Sequence, residues 1–352
     1  MYVIEKPAVD PRLQERYQLV IKQHPRCASS VAPGLRVLPS DGSQDAASLG
    51  AHRFYKNESL TLPLLAEPLL TRAQGAVAAG CHRYALCLHD QSPLHYTHHE
   101  AKKDRKVMYS RDDLGYELQS ALMLSDRQGE PLAPAYIGLA ASDGVHSTRR
   151  ETLLPLRPWV DEVNRTMGYP ETQQFDKELV HIIDRELDKL LHLRRFARCG
   201  RLVLIRANDV RRVCHEGESR LLSQVEASLE GQFKFSRRIK YPGKKAWQYV
   251  AETSVTLDQP ARIYRQRGGK LVQRNIPGQP LPMRLLIAQV RDKYGKVLAT
   301  WRLWANLPAS VKAATVALWY YWRWRIESFH KLLKRAGQQV EQWQQTTAQR
   351  VA

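Results

Sequence analysis

No stretch of this 352-residue chain approaches the roughly 20 consecutive apolar residues that a helix needs to cross a bilayer. The opening segment, MYVIEKPAVD, has neither the basic cluster nor the apolar core of a secretory leader. Both absences point to a cytoplasmic chain with no membrane as partner. Cysteine is scarce. The five residues Cys27, Cys81, Cys87, Cys199 and Cys214 are odd in number, scattered, and never form a CxxC pair. That pattern argues against a disulfide framework or a zinc ribbon and fits a reducing compartment. Internal repeats and low-complexity segments are absent as well. Negative charge is in deficit: 35 Asp and Glu face 54 Lys and Arg, a formal charge of +19. An excess of that size favours a polyanionic partner, nucleic acid above all, with a membrane surface as the rival.

What is present divides the chain into four parts. Residues 1–75 read as a helical N-terminal module: DPRLQERYQLVIKQ has apolar residues at helical spacing, and the break VAPGLRVLPSDGS leads into QDAASLGAHRFYKN. Residues 76–205 carry short apolar runs of strand type, HRYALCLHD and then YELQSALMLSDRQGEPLAPAYIGL, in which DRQGE reads as a hairpin turn. LVHIID then reads as a buried strand, RELDKLLHLRRFA as a helix and RLVLIRA as another strand, which together predict an α/β core. Residues 206–284 are basic and β-rich, with strands around a Gly268–Gly269 turn, and read as an insertion. Across 231–274, five Lys and six Arg against Glu252 and Asp258 leave 11 − 2 = +9, nearly half the excess of the whole chain. Arg237, Arg238, Lys244 and Lys245 are potential DNA contacts here, although a solvated sheet face accounts for the charge equally well. Residues 285–352 return to strands, MRLLIAQVRD and ATWRLWANL, followed by one long helix, VKAATVALWYYWRWRIESFHKLLKRAG.

On that helix, at about 100° per residue, Tyr320, Arg323, Glu327, Lys331 and Lys334 fall within an arc of roughly 80°. Trp319, Trp322, Ile326, Phe329 and Leu333 make the opposite, apolar face. An exposed charge ladder would give the same stripe, with i,i+4 pairs each contributing about 0.2–0.5 kcal/mol. Two further carboxylates follow apolar strands: Asp90 after YALCLH and Asp184 after LVHII. A carboxylate at a strand's C-terminal end points into the mouth of an α/β sheet, where ligands commonly bind, although a turn or helix-capping aspartate is the ordinary alternative. Metal-assisted phosphoryl transfer needs several such carboxylates converging from different elements. The segment HDQSPLHYTHHE, with His89, His95, His98 and His99, admits a transition-metal site, but no Cys or HExxH geometry accompanies it.

The spacing Tyr320-x2-Arg323-x3-Glu327-x6-Lys334, within RWRIESFHKLLK, resembles the helix motif of the insertion-sequence four family of transposases, enzymes of the acidic-triad (DDE) type. LHDQSPLHYT is similar to the family's first-aspartate motif and HIIDRELDKLL to its second, and DGSQDAASLGAHRFYKN resembles its N-terminal DNA-binding segment. The resemblance implies an RNase H-like α/β catalytic core, a mixed sheet flanked by helices, with the β-rich insertion and the helical N-terminal domain. It implies a triad of Asp90, Asp184 and Glu327 binding Mg2+, with Mn2+ as a substitute, and places Asp188 behind the metal ligands or on the helix surface. It further implies DNA contacts from Tyr320, Arg323, Lys331 and Lys334, base stacking by Trp301 (or Trp304), and contacts from Arg53 and Lys56. The implied activity is cut-and-paste transposition through strand cleavage, hairpin formation and strand transfer, on double-stranded DNA bearing terminal inverted repeats and on target DNA. A homodimeric synaptic complex in a bacterial cytoplasm, associated with the nucleoid when bound to DNA, goes with it. Two positions depart from the pattern: Asp90-Gln91-Ser92 stands where the family has Asp-Thr-Thr, and Gln119 where a His is common. The chain ends 352 − 327 = 25 residues after Glu327, where the family continues into a helical region used for dimer synapsis. Alternative readings are a catalytically impaired, transposase-derived DNA-binding protein or inhibitor, and a structure-specific nuclease of the same fold.

Overall fold

The structure is a computed structural model describing residues 6–23, 44–267, 270–336 and 338–352. Cys27, the Pro/Gly-rich break at 31–43 and the Gly268–Gly269 turn lie outside these residues. The chain forms two compact units, one of Met1–Glu178 with Trp324–Ala352 and the other of Leu179–Arg323. Both boundaries lie within segments that the sequence assigns to the catalytic core.

The first unit begins with three helices, α1 (Pro11–Gln23), α2 (Gln44–Lys56) and α3 (Leu62–Gly80). Helix α3 starts where Thr61 caps it, its hydroxyl accepting from the Leu64 amide at 3.4 Å, with Pro63 in the first turn, where no amide donor is needed. It packs on an antiparallel sheet of β1 (Tyr84–His95), β2 (Lys106–Val107), β3 (Leu114–Ser125), β4 (Pro131–Ala140), β5 (Val145–Ser147) and β6 (Arg150–Leu154). Strands β1 and β3 pair from Ala85 opposite Ser125 to His95 opposite Gly115, burying the run Tyr84–His89. The DRQGE turn forms as expected between β3 and β4. Gly129 takes φ 70° there, a conformation that favours glycine. Asp126 fastens this turn to the start of β1 by accepting from the amides of His82, Arg83 and Tyr84 at 2.7, 3.0 and 2.9 Å. Helix α4 (Trp159–Thr172) follows, and its Glu162 is fully buried.

The second unit holds a mixed sheet. Strands β7 (Glu178–Ile183) and β8 (Leu202–Arg206) are parallel, joined through α5 (Leu190–Arg198), in the strand, helix, strand order expected from HIID to RLVLIRA. The basic segment next contributes β9 (Arg212–His215), β10 (Glu218–Leu221), α6 (Leu222–Ser228), β11 (Lys234–Lys240), β12 (Lys245–Leu257), β13 (Ala261–Arg267) and β14 (Lys270–Ile276). Strands β15 (Leu281–Arg291) and β16 (Val297–Ala305) complete the set, all antiparallel, with β16 against β8. Strand β12 runs alongside β15 from Trp247 opposite Arg291 to Leu257 opposite Leu281. The basic segment therefore continues this unit's sheet, and only β13 and β14 stand apart as a two-stranded sheet of their own. Helix α7 (Ala313–Tyr321) packs on β12 and β15, with Val316, Ala317, Trp319 and Tyr320 buried.

The long helix expected over Val311–Gly337 is interrupted. A turn at Trp322 and Arg323 separates α7 from α8 (Trp324–Lys331), which belongs to the first unit and packs on β1. The last turn of α7 tightens, with Arg323 donating to the Tyr320 carbonyl three residues back at 3.0 Å. Beyond α8 the backbone widens into a π-helical turn at Leu332–Ala336. The single continuous stripe drawn at a constant 100° per residue is thus corrected: the residues on it divide between the two units. Residues 338–352, ending in α9 (Ala348–Val351), cover the first unit's sheet, where Val340, Ala348 and Val351 join Leu94, Tyr96 and Leu139 in one core cluster.

Candidate functional site

Asp184 ends β7. The four residues before it, Val180–Ile183, are buried, and the chain turns at Asp184 because its carboxylate Oδ1 accepts from the Arg185 amide at 2.8 Å, capping the short turn Arg185–Leu187. The aspartate stands where the sequence puts it, at the C-terminal end of a parallel strand pair, with its side chain 36% exposed. Two residues of the helix motif reach it. The Tyr320 hydroxyl donates to Oδ1 at 3.3 Å, and an Arg323 amino group lies 3.7 Å from Oδ2. Burial, and then the negative charge of Asp184, push the Tyr320 hydroxyl well above its ordinary pKa, so it is a neutral donor at any physiological pH. Trp301 of β16 lies beside this pair, its ring 5.9 Å from Tyr320, 6.4 Å from Tyr321 and 6.2 Å from Tyr241.

Tyr320, Arg323 and Trp301 are buried, at 3%, 7% and 4% exposure. Direct DNA contact through them therefore requires their present neighbours to yield. Arg237, expected on a charged face, donates to the Ala314 carbonyl at 2.9 Å and has its pKa lowered by burial. Asp188 is buried and neither on the helix surface nor open to solvent. Its carboxylate accepts from the Trp304 indole at 2.9 Å and the Asn208 amide at 2.6 Å, and it pairs with Arg211 at 2.8 Å. This structural anchor has one signal in the sequence: its place in Asp-Arg-Glu-x-Asp.

In the first unit, Asp90 lies inside β1 rather than at its end, because pairing with β3 continues through Gln91, Ser92 and Pro93 to His95. Asp90 is half-buried, opposite Ser120, and its carboxylate accepts from the Gln91 amide at 2.9 Å. Glu327, also half-buried, sits in the first turn of α8. One turn on, His330 meets Ser120 Oγ at 2.9 Å, so a side-chain hydrogen bond joins the helix of Glu327 to the strand facing Asp90. Burial, and then Lys334, lower the His330 pKa to about 4, so the imidazole is neutral. Gln119 is buried and bonded to Glu117 at 3.3 Å and Tyr136 at 3.4 Å. Lys331, Arg53 and Lys56 are exposed, and Lys334 is partly buried.

The histidines of HDQSPLHYTHHE do not gather. His89 contacts Cys87 at 3.4 Å, His95 pairs with Asp113 at 2.8 Å, and His99 packs on the Tyr96 ring. Among the described residues of the first unit, Asp104, Asp143 and His146 have ligand atoms within 4.8 Å of one another. Asp104 is committed elsewhere, to the Tyr116 hydroxyl and the Ala348 amide. No helix among the described residues is long and apolar enough to cross a membrane.

No protein-family model and no curated protein matches the chain. Among solved structures, one similar chain is the piggyBac transposase in a synaptic complex with hairpin DNA. Its TM-score is 0.38 at 9% identity, over 92% of this chain and 59% of that one, a likeness too distant to bear on chemistry.

Proposed function

We propose that the chain is a DNA transposase of the acidic-triad type, with Asp90, Asp184 and Glu327 holding Mg2+ on an RNase H-like core and residues 1–75 serving as a DNA-binding domain. The observation that carries this reading is the meeting of two motifs that were identified separately in the sequence: Tyr320 and Arg323, from the Tyr-Arg-Glu-Lys helix, both reach the carboxylate of Asp184. An ordinary capping aspartate would not require a buried tyrosine and arginine from a segment more than a hundred residues later. The donor chemistry suits the ion, since Mg2+ takes oxygen ligands and keeps several waters, and Asp184 offers a carboxylate open to solvent on one side. When bound, the metal would supply charge neutralisation at a phosphodiester and an activated attacking water. Arg323, 3.7 Å from the carboxylate, would position Asp184 for the ion, and would meet a DNA phosphate only where its neighbours yield. Tyr320 stays protonated and donates a hydrogen bond to whichever oxygen replaces Asp184 as its acceptor. Lys331 and Lys334 would add phosphate contacts. Arg53 and Lys56 would do the same from α2.

Residues Gln91, Ser92 and Gln119 favour a second reading, a DNA-binding protein with impaired chemistry. The experiment that separates the two uses labelled duplexes made from the DNA on either side of the coding sequence, where the inverted repeats of a transposase would lie, incubated with the full chain. Nicking in Mg2+ or Mn2+ and none in EDTA supports the transposase. Specific binding without nicking in either ion selects the binder.

A further inference from the structure

Strand β6 and helix α4, in the first unit, border a cavity of about 640 Å3 whose lining includes Arg149, Arg150, Arg165, Tyr169, Thr172 and Gln173 and contains no carboxylate. Two of its arginines, Arg149 and Arg165, are reached from beneath by one carboxylate. Glu162, with no exposed surface, pairs with Arg149 at 3.0 Å and reaches Arg165 at 4.0 Å. The three guanidinium groups of the lining and the one carboxylate beneath them sum to two positive charges. Arg149 is only 12% exposed in its side chain, and its Nε is buried with no hydrogen-bond partner. That Nε is sealed from solvent, and Glu162 Oε2 beside it is likewise without a hydrogen-bond partner, so the positive charge open to an outside acceptor lies on Arg150, Arg165 and the exposed part of Arg149. Pairing with Glu162 occupies only part of the Arg149 fork, and Arg150 adds an exposed guanidinium at the rim. Guanidinium forks match the oxygens of a phosphate, and beside them the Thr172 hydroxyl donates to the Tyr169 carbonyl at 2.8 Å and accepts from the Gln173 amide at 3.1 Å.

We propose that this cavity is a phosphate-binding site, distinct from the carboxylate segments, which accepts either a backbone phosphate of nucleic acid or the phosphate of a small molecule. The site does not depend on strand cleavage, so absence of nicking leaves its test intact.

The test is calorimetric titration of the full chain with inorganic phosphate at fixed ionic strength, in the wild type and in R150Q and R150Q/R165Q, with melting temperature as the control for folding. Arg150 is exposed and the Arg165 side chain a third exposed, and the 3.0 Å Arg149–Glu162 pair is left whole. Expected is saturable binding of one phosphate, weakened at least about tenfold in the double variant, the loss of a charged hydrogen bond. The titration is repeated with a DNA duplex already bound. If DNA supplies the ligand, the phosphate signal disappears, and the salt slope of duplex binding falls by about 1 in the double variant, the value for one phosphate contact. If a small phosphate is the ligand, the signal persists with DNA bound and the slope is unchanged. Absence of saturable binding in the wild type, or equal binding in wild type and a folded R150Q or double variant, overturns the proposal.

Discussion

Asp184 and Asp188 share one short turn and differ in every contact. Asp188 is buried and bonded to an indole, an amide and a guanidinium, whereas Asp184 is a third exposed and holds Arg323 at 3.7 Å. Replacing Asp188 with Asn leaves Arg211 without its buried counter-charge and should lower stability by about 3 kcal/mol in urea melts. Asp184→Asn, at a carboxylate 36% exposed and 3.7 Å from Arg323, should cost less than Asp188→Asn while removing metal-dependent cleavage. Equal destabilisation by the two would assign both aspartates to structure. His330 makes a second prediction. Its pKa falls from 6.5 to about 4 on folding, so the unfolded chain binds the extra proton between those values. Stability should be full above pH 6.5 and decline as pH falls toward 4, by roughly 3 kcal/mol in total. His330→Gln should flatten that part of the profile. Unchanged pH dependence in the variant would show that other groups dominate.

At the scale of elements, the strands were legible where they are buried on both faces. LVHII, LVLI and MRLLIAQV are mostly apolar runs of strand length, and each lies in a strand. Asp90 was misplaced for the same reason: Gln91, Ser92 and Pro93 end the apolar run, yet β1 continues because β3 supplies a paired neighbour as far as Gly115. The break between α7 and α8 left no sign in the sequence. Tyr320–Arg325 contains neither Gly nor Pro, and the turn reflects tertiary contacts, with Tyr320 and Arg323 drawn to Asp184. The pairing of Tyr320 with Asp184 links residues too distant in the chain for any local pattern to reveal.

The cover over the first unit's sheet also depends on one side chain. Lys102 is 1% exposed, donates to the Trp343 carbonyl at 2.8 Å and to that of Gln345, and lies 4.7 Å from the Tyr96 ring centre. Lys102→Met should leave those carbonyls without donors and raise hydrogen exchange across residues 338–352, with β12 and β15 unaffected. Uniform protection in the variant would contradict the role given to Lys102.

At the scale of the whole molecule, a charge of +19 would make any binding to DNA an electrostatic matter first. Duplex affinity should fall steeply and linearly on logarithmic axes as salt rises, and Arg238→Glu with Lys244→Glu should reduce that slope if the basic strands take part. A slope unaffected by both changes would confine the contacts to other surfaces. The charge alone fits any nucleic-acid binder. What distinguishes a transposase is three carboxylates acting as one unit, since residues that share a reaction step lose nearly everything when any one is removed. Single-turnover nicking of the inverted-repeat duplex in Mn2+ by Asp90→Asn, Asp184→Asn and Glu327→Gln tests this directly. The account predicts that each folded variant binds DNA as the wild type does and cleaves at least about a thousandfold more slowly. Cleavage at the wild-type rate by any one of the three would contradict the shared metal site.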